Sequence, residues 1–572
     1  NRRALFRLMV GGSTIAFAVP AFAQDPAAAP AAVDPTQPTE EQRPTTASTS
    51  SAETPADVAG NEIVVTGIRA SLRQSMDIKR NAQGVVDAIS AEEMGKFPDT
   101  NLAESLQRIT GVSIDRSNGE GSFVTVRGFG PEYNLVILNG RQMPTSSLSG
   151  GGGEPPNSRA FDFGNLASQG IAAVEVYKPA RVTLPTGGIG STINILTPRP
   201  LDRPGMRGSV AARAVLDTSQ NGHNDITPEF SGIFSDTFAD DRVGVLVTGS
   251  YQRRKSSTNQ ANVGWRDGYL GSENNWGSLP NNAQQINRPG PTDVYQVQQN
   301  ASYDLNDIGR NRINGQAVLQ FQPMDNLTGT LDFTYSRNTV ETRNSNVGVW
   351  FNFGDVSSEW TDGPVAGPIF YSEHFCHAGV DANCPLGKDL SYSGSLTSNR
   401  SINKSLGANV AWDPLDQLHL VFDAHHSTAE SKPNNKFGSN MSVGNAVFGI
   451  QDQTVTYDRD LPIINVNMYP EIDELDPANI TPTGNAFRTA FFKDRINQAQ
   501  LKGNWDFDDS FLDSIDFGVS YVDNKIRSAF GVIQNDTWGG AGPASDIPDD
   551  IFTLETLPDK FPGVSGHNDP AM

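Results

Sequence analysis

Alternating apolar and polar segments, joined in pairs by tight turns and separated by very long loops, fill the chain after Met206. No other feature constrains its fold as strongly. Gly244–Tyr251 is one such segment. Ala317–Phe321 and Leu327–Tyr335 flank a turn at Pro323–Asn326; Leu406–Trp412 and Leu418–Ala424 flank Pro414–Gln417; Ala499–Phe507 and Ile515–Tyr521 flank Asp508–Ser514. The stretches between the pairs, about residues 255–310, 342–402 and 431–490, read as loops dense in Gly, Asn, Asp, Ser and Thr. Period-two alternation puts apolar side chains on one face of each strand. Strict alternation of short and long connections marks an outer-membrane β-barrel, with turns in the periplasm and loops outside. A soluble β-sandwich rarely carries three loops of ~50 residues at one end.

The remaining composition agrees. The 572 residues include no window of roughly 20 uninterrupted apolar residues, so no transmembrane helix is predicted. The formal net charge of −22 repels phosphate and excludes a chain that coats nucleic acid. An apolar share of 37% before glycine is counted excludes a wholly disordered chain.

The start of the chain reads as export machinery. Arg2, Arg3 and Arg7 form a basic region, Leu8–Val19 a short apolar one, and Ala21-Phe22-Ala23 a cleavage site, so residues 1–23 are a predicted signal peptide. Residues 24–61, rich in Ala, Pro, Thr and Ser, have too few large apolar side chains to build a core and are predicted to be a disordered linker. Export implies an oxidising compartment. Cys376 and Cys384, the only cysteines, then favour a disulfide around a small loop. His374, Cys376, His377 and Cys384 form a rival set of four zinc ligands, but their spacing matches no standard finger.

Residues 70–200 have a mixed α/β pattern. Asp99 or Thr100 can cap a short helix whose Leu102, Leu106 and Ile109 share one face, and Gly111 stops it. Val112–Ile114, Phe123–Val126, Val174–Tyr177 and Ile193–Ile195 read as strands. Leu135–Leu138 runs into Asn139-Gly140, a strong hairpin signal.

These residues resemble a known family. Glu62–Arg69 (EIVVTGIR) resembles a TonB box. Thr125–Phe129, Asn134–Pro144 (NLVILNGRQMP) and Val174–Pro200 resemble the plug of TonB-dependent outer-membrane receptors. The finer pattern is similar to the proteobacterial subgroup often linked to carbohydrate uptake. The resemblance implies an α/β plug followed by an antiparallel transmembrane β-barrel of about 22 strands, in the outer membrane of a Gram-negative bacterium. TonB and its inner-membrane energising complex would be the partners, with no cofactor and no nucleic acid. Residues 206–572 have room for only about nine strands, and the chain closes on His567–Met572 without an amphipathic aromatic-ended strand. The chain is therefore read as the N-terminal part of a longer receptor.

Site expectations follow. Glu62, Ile63, Val64, Val65, Thr66 and Gly67 suit strand addition to a partner's sheet edge. By resemblance, Arg127 faces acidic residues of the barrel wall and keeps the plug seated. Gly187, Gly188 and Gly190 lack the Lys-Ser/Thr and helix of a phosphate loop and mark tight turns instead. His425 and His426 are adjacent on a strand, point to opposite faces and cannot chelate together. No catalytic constellation or metal site emerges, so the chain is not read as an enzyme. Trp265, Tyr269, Trp276, Trp350 and Trp360, in the long loops among abundant Asn and Gln, are candidates to stack on sugar rings. An oligosaccharide is the expected solute, with a ferric siderophore as the alternative.

Overall fold

The computed structural model describes residues 75–76, 78–80, 84–90, 101–145, 159–273, 279–351, 355–384, 387–507, 511–535, 547–555 and 557–561. All of them fall in one compact unit, Asn61–Met572. The expected signal peptide 1–23, linker 24–61 and TonB box 62–69 lie outside the described residues.

The N-terminal domain carries β1 (Val86–Ser90), β2 (Val112–Ser117), β3 (Glu120–Val126), β4 (Asn134–Leu138), β5 (Arg141–Gln142), β6 (Ala173–Tyr177) and β7 (Ser191–Leu196). Five of these form a sheet ordered β1-β6-β7-β4-β5, with β4 and β7 parallel; β2 and β3 form a separate hairpin. Helix α1 (Leu102–Leu106) covers it. Its cap is Asn101, two residues or one beyond the expected Asp99 or Thr100: Asn101 Oδ1 accepts from Ala103 N at 3.0 Å and Glu104 N at 3.3 Å. Leu102, Leu106 and Ile109 are buried together against Val126, Val136, Val174 and Ile193, as the helical spacing predicts.

After the plug, β8 (Arg207–Leu216), β9 (Ile226–Phe238) and β10 (Val243–Trp265) begin a long antiparallel meander. Three two-residue strands follow, β11 (Tyr269–Leu270), β12 (Gln285–Ile286) and β13 (Val294–Tyr295). The meander resumes with β14 (Gln298–Met324) and β15 (Leu327–Trp350). Beyond them come β16 (Asp355–Trp360), β17 (Val365–Ala366) and β18 (Pro368–His374), then β19 (Lys388–Leu415) and β20 (Leu418–Pro433). Finally β21 (Asn440–Thr456) and β22 (Ile463–Met468) precede β23 (Thr481–Asp506) and β24 (Ser514–Asn535). Nine of these, β8, β9, β10, β14, β15, β19, β20, β23 and β24, pair in chain order as one curved wall. Among the described residues β8 pairs only with β9 and β24 only with β23.

The wall inverts the polarity of a soluble sheet. One outward row runs strand to strand through Val243, Phe321, Gly329, Val410, Phe422, Leu501 and Val519. Phe321, Val410, Phe422, Leu501 and Val519 are exposed. The neighbouring inward row runs through Gln320, Thr330, Asn409, Asp423 and Gln500, of which all but Asn409 are buried. Apolar outside and polar inside is the signature of a barrel wall in lipid.

The expected long loops are shorter than the sequence suggests. Strands β14 and β19 run for 27 and 28 residues, far more than the ~9–11 a bilayer needs. One face of these outer extensions is polar, while Ala301, Tyr303, Leu305, Val347 and Val349 on the other are apolar. Asp304, for example, accepts from Asn262 Nδ2 at 2.7 Å, Asn344 Nδ2 at 3.0 Å and Asn346 Nδ2 at 2.9 Å across three strands. A second apolar core sits among these extensions. Tyr295, Phe351, Trp360 and Tyr371 pack there with Leu557 of α2 (Leu557–Lys560) and with Phe561. Phe561 lies 5.7 Å from the Tyr303 ring, and Asn259 Nδ2 donates to Lys560 O at 2.8 Å.

Candidate functional site

The plug is fastened to the wall by buried ion pairs of opposite polarity. The first grows from the β4–β5 hairpin. Asn139 (φ 52) and Gly140 (φ 82) both take the left-handed conformation that a two-residue hairpin turn demands. Asn194 Oδ1 accepts from Gly140 N at 3.0 Å, and Asn139 Nδ2 donates to Thr197 Oγ1 at 2.9 Å, so the turn is held on β7. Arg141 follows at once and is 1% exposed. Its Nη1 donates to both oxygens of Asp332, at 2.7 and 2.6 Å, and its Nε to both oxygens of Asp423, at 2.9 and 3.0 Å. Asp332 is on β15 and Asp423 on β20. Burial alone would lower the Arg141 pKa, but the two carboxylates outweigh it and raise it.

Gly407 of β19 completes the seat. It stands in register with Asp332 on one side and His425 on the other. A Cβ there would overlap the Arg141 guanidinium. Further bonds continue the same docking edge: Gln142 N donates to Gln498 Oε1 at 3.0 Å and Thr145 N to Asp494 Oδ2 at 3.1 Å.

The second pair reverses the charges. Glu120, the first residue of β3, is buried against Arg312 Nη2 at 2.8 Å and against Arg310, both on β14. Arg312 Nη1 also donates to Gln252 Oε1 at 2.9 Å, and Arg310 Nη2 to Asn118 O at 3.2 Å. Burial would raise the Glu120 carboxyl, but the two guanidiniums outweigh it and hold it at about 2. Asp162 is half-buried but enclosed by plug and wall atoms, and this desolvation raises its carboxyl to about 6 although it accepts from Gly164 N at 2.9 Å.

The sequence candidates land elsewhere. Arg127 is exposed in the left-handed region (φ 53), its N–H bonded to Gly111 O at 2.8 Å. Among the described residues the ion pairs from plug to wall are those of Arg141 and Glu120, not of Arg127. Arg127 was singled out as an arginine before a glycine turn; the arginine that faces wall carboxylates is Arg141, directly after the Asn139-Gly140 turn. Lone aspartates at inward parity, Asp332 in LTGTLDF and Asp423 in LHLVFDA, were its legible partners.

The aromatic candidates divide. Trp265 is 42% exposed with its ring 5.5 Å from Tyr457, and Trp350 is 47% exposed. Trp360 is 1% exposed, edge-on to Tyr295 at 5.5 Å, with Nε1 bonded to Ser358 Oγ at 2.7 Å. It has no free face for a sugar, because the outer strand extensions bury it. Tyr269 is half-buried beside Tyr295, and Trp276 lies outside the described residues. Cys376 and Cys384 are joined as a disulfide with Cα atoms 6.0 Å apart. The nearby His374 and His377 pair with Asp452 and Glu471 respectively. His425 is buried and His426 exposed, on opposite faces of β20. Gly188 and Gly190 are tight backbone positions, where a Cβ would meet Ser191 and Asn134.

A strand wall with an apolar outer face, to whose inner face a plug domain is fastened by buried charges, is the architecture of a plugged outer-membrane barrel. Known proteins resemble the plug part of the chain. Residues 78–192 match the family described as the TonB-dependent Receptor Plug Domain. The ferric enterobactin receptor PirA of Pseudomonas aeruginosa is 28% identical over 171 residues, covering 28% of this chain and 22% of that receptor. A probable TonB-dependent siderophore receptor PirA of Acinetobacter baumannii is 23% identical over 152 residues, covering 25% of this chain and 19% of that one. Among solved structures, a mutant of the ferric enterobactin receptor PfeA of Pseudomonas aeruginosa aligns with 79% of this chain and 72% of its own, at 12% identity and a TM-score of 0.32. Residues 78–192 are thus a plug domain of the TonB-dependent receptor kind. The aligned part spans about a fifth of the length of these curated relatives.

Proposed function

We propose that this receptor takes up a ferric siderophore or a similar anionic metal chelate, using energy delivered by TonB. The buried pairing of Arg141 with Asp332 and Asp423 carries the transport reading. A plug fastened in this way does not leave the lumen unaided, because separating a buried ion pair leaves uncompensated charge. Work must therefore be applied, and residues 62–67 are suited to receive it by adding as a strand to TonB. For the solute, the curated relatives named as ferric enterobactin and siderophore receptors support a chelate over an oligosaccharide. The burial of Trp360 also weakens the stacking argument for sugar.

The test uses the full-length receptor in cells lacking other iron receptors. Binding and uptake of radioiron-labelled ferric enterobactin are measured with and without TonB. Binding in both and uptake only with TonB is the expected result. Oligosaccharide uptake without ferric-chelate binding would overturn the choice of solute.

A further inference from the structure

Toward the long strand extensions, the outward face of the wall changes from apolar to basic. Side chains two residues apart share a face, so successive outward rows follow from the register. The row through Phe321, Val410 and Leu501 carries no charge, and neither does the next, through Leu319, Ala408 and Ala499. The third, through Phe333 and Leu406, turns polar at Asn497 and Asp523. Lys404, Arg495 and Lys525 stand in the fourth row, and Arg337, Lys493 and Arg527 in the fifth. Arg253, Arg400 and Lys432 stand in the sixth. Glu430 is the one carboxylate among the described residues of these last three rows. The balance is opposite to that of the whole chain, which has 43 Lys and Arg against 65 Asp and Glu.

The basic band lies where the hydrocarbon ends. Lys404 is eight residues along β19 from Trp412. At about 3.4 Å per residue and a strand tilt of about 40°, that is about 20 Å of height, close to the ~25 Å apolar band of an outer-membrane wall. The tight turns mark the periplasmic side, so the basic band meets the outer leaflet. Two features set it apart from a belt that only reaches for water. Like charges stand directly opposite in three cross-strand pairs, Arg400 with Lys432, Arg495 with Lys525 and Lys493 with Arg527, an arrangement that destabilises a sheet. Glu430 relieves part of it, lying 2.7 Å from Lys432 Nζ and 3.4 Å from Lys493 Nζ, and Asp523 lies 3.7 Å from Arg495. Arg337, Arg400 and Lys404 have no carboxylate within ion-pair reach among the described residues, and Arg400 Nε is buried without an acceptor.

We propose that this outward band binds the phosphate groups of a glycolipid in the outer leaflet. Phosphate accepts bidentate bonds from Arg and a point charge from Lys, and both are present. Arg337 and Lys404 are diagonal neighbours across β15 and β19, and Arg400 and Lys432 are opposed across β19 and β20. A phosphate between the members of either pair replaces their repulsion with two attractions. The acyl chains of the same lipid lie along the uncharged rows beneath, against Phe333, Leu406 and Val410, which are exposed. The proposal goes beyond the transport reading and rests only on the orientation of the wall in the membrane.

The full-length receptor, purified in a nonionic detergent, tests this by titration with fluorescent diphosphoryl lipid A and with the same lipid after enzymatic removal of its phosphates. The wild type should bind the phosphorylated lipid at least about 10-fold more tightly than the phosphate-free one, as expected where several Lys and Arg meet an anionic lipid surface. Added salt should weaken the first and spare the second. In a second arm Arg337, Arg400, Lys404 and Lys432 are changed together to Gln. Affinity for the phosphorylated lipid should fall to that of the phosphate-free one, while heat-modifiable gel migration stays that of a folded barrel. Equal binding of the two lipids by the wild type overturns the proposal, whatever the fold of the variant, and leaves a band that meets only water or an acidic protein. Full affinity in the folded Gln variant overturns it as well. Lipid binding needs neither TonB nor solute, so a failure of the transport reading leaves this result standing.

Discussion

The guanidinium of Arg141 occupies the space that Gly407 leaves by having no side chain. The two residues lie 266 positions apart in sequence, in different domains, and each explains the other. Gly407 is in register with Asp332 on the adjacent strand, so the missing Cβ lets one arginine reach that carboxylate and Asp423 together.

Gly407→Ala is therefore expected to displace Arg141 and strand two buried carboxylates. The plug–wall contact should weaken by about 3–5 kcal/mol, as when one partner of a buried pair is lost. Entry of large antibiotics into cells measures the resulting leak. Arg141→Met should leak as much, and adding Asp332→Asn with Asp423→Asn should close most of that leak. An unaltered antibiotic barrier in Gly407→Ala would argue against the seat.

Two plug carboxyls give opposing pH responses. Glu120 falls from its ordinary 4.5 to about 2, so its contribution is full above the unfolded value and is lost as pH drops through the folded one. Asp162 rises from its ordinary 3.8 to about 6, so the plug gains stability as pH falls from above 6 toward 4. Each shift corresponds to about 3 kcal/mol at most. Amide exchange of the plug from pH 7 to 3 should show protection rising and then falling. Asp162→Asn should flatten the limb between pH 6 and 4 and leave the acid limb intact.

Trp360 and Trp350 should respond to truncation in different ways. Trp360→Ala removes a buried ring from the outer aromatic core and should cost about 3–5 kcal/mol of local stability. Trp350→Ala alters an exposed surface and should leave the melting curve unchanged. Thermal unfolding of the two variants separates them; equal destabilisation would contradict the burial.

The disulfide loop is held twice. Besides the Cys376–Cys384 bond, Tyr469 Oη donates to Phe375 O at 2.7 Å and its ring stacks on His377 at 3.9 Å. Reduction alone should remove roughly 2–3 kcal/mol, confined to the loop. Exchange at 376–384 should rise modestly on reduction and strongly when Tyr469→Ala is added. Thiol titration of denatured, unreduced protein should find no free thiol.

Proline at Val64 or Val65 removes a backbone donor and fixes φ, which is incompatible with strand addition. Solute should still bind to the cell surface while uptake stops. Undiminished uptake would sink the assignment of residues 62–67 to TonB.

What the sequence determined by itself was local. Period-two alternation located β10, β14, β15, β19, β20, β23 and β24, because a lipid-facing strand must show one apolar face. The spacing of Leu102, Leu106 and Ile109 and the Asn139-Gly140 turn located the plug's helix and hairpin, because each is a constraint between near neighbours. The strands' outer extensions escaped, since their few apolar positions stand among dense Asn, Asp, Ser and Thr and find their packing partners far away in sequence. Tertiary structure alone decided which charges meet. Arg127 lies within a tight turn and Arg141 follows one, and only the register of β15, β19 and β20 places two carboxylates and a missing side chain opposite Arg141. It also decided that Trp360 is core and Trp350 is surface. The core around Trp360 draws on β13, β18 and a segment near residue 560. Contacts between residues so far apart leave no periodic trace along the chain.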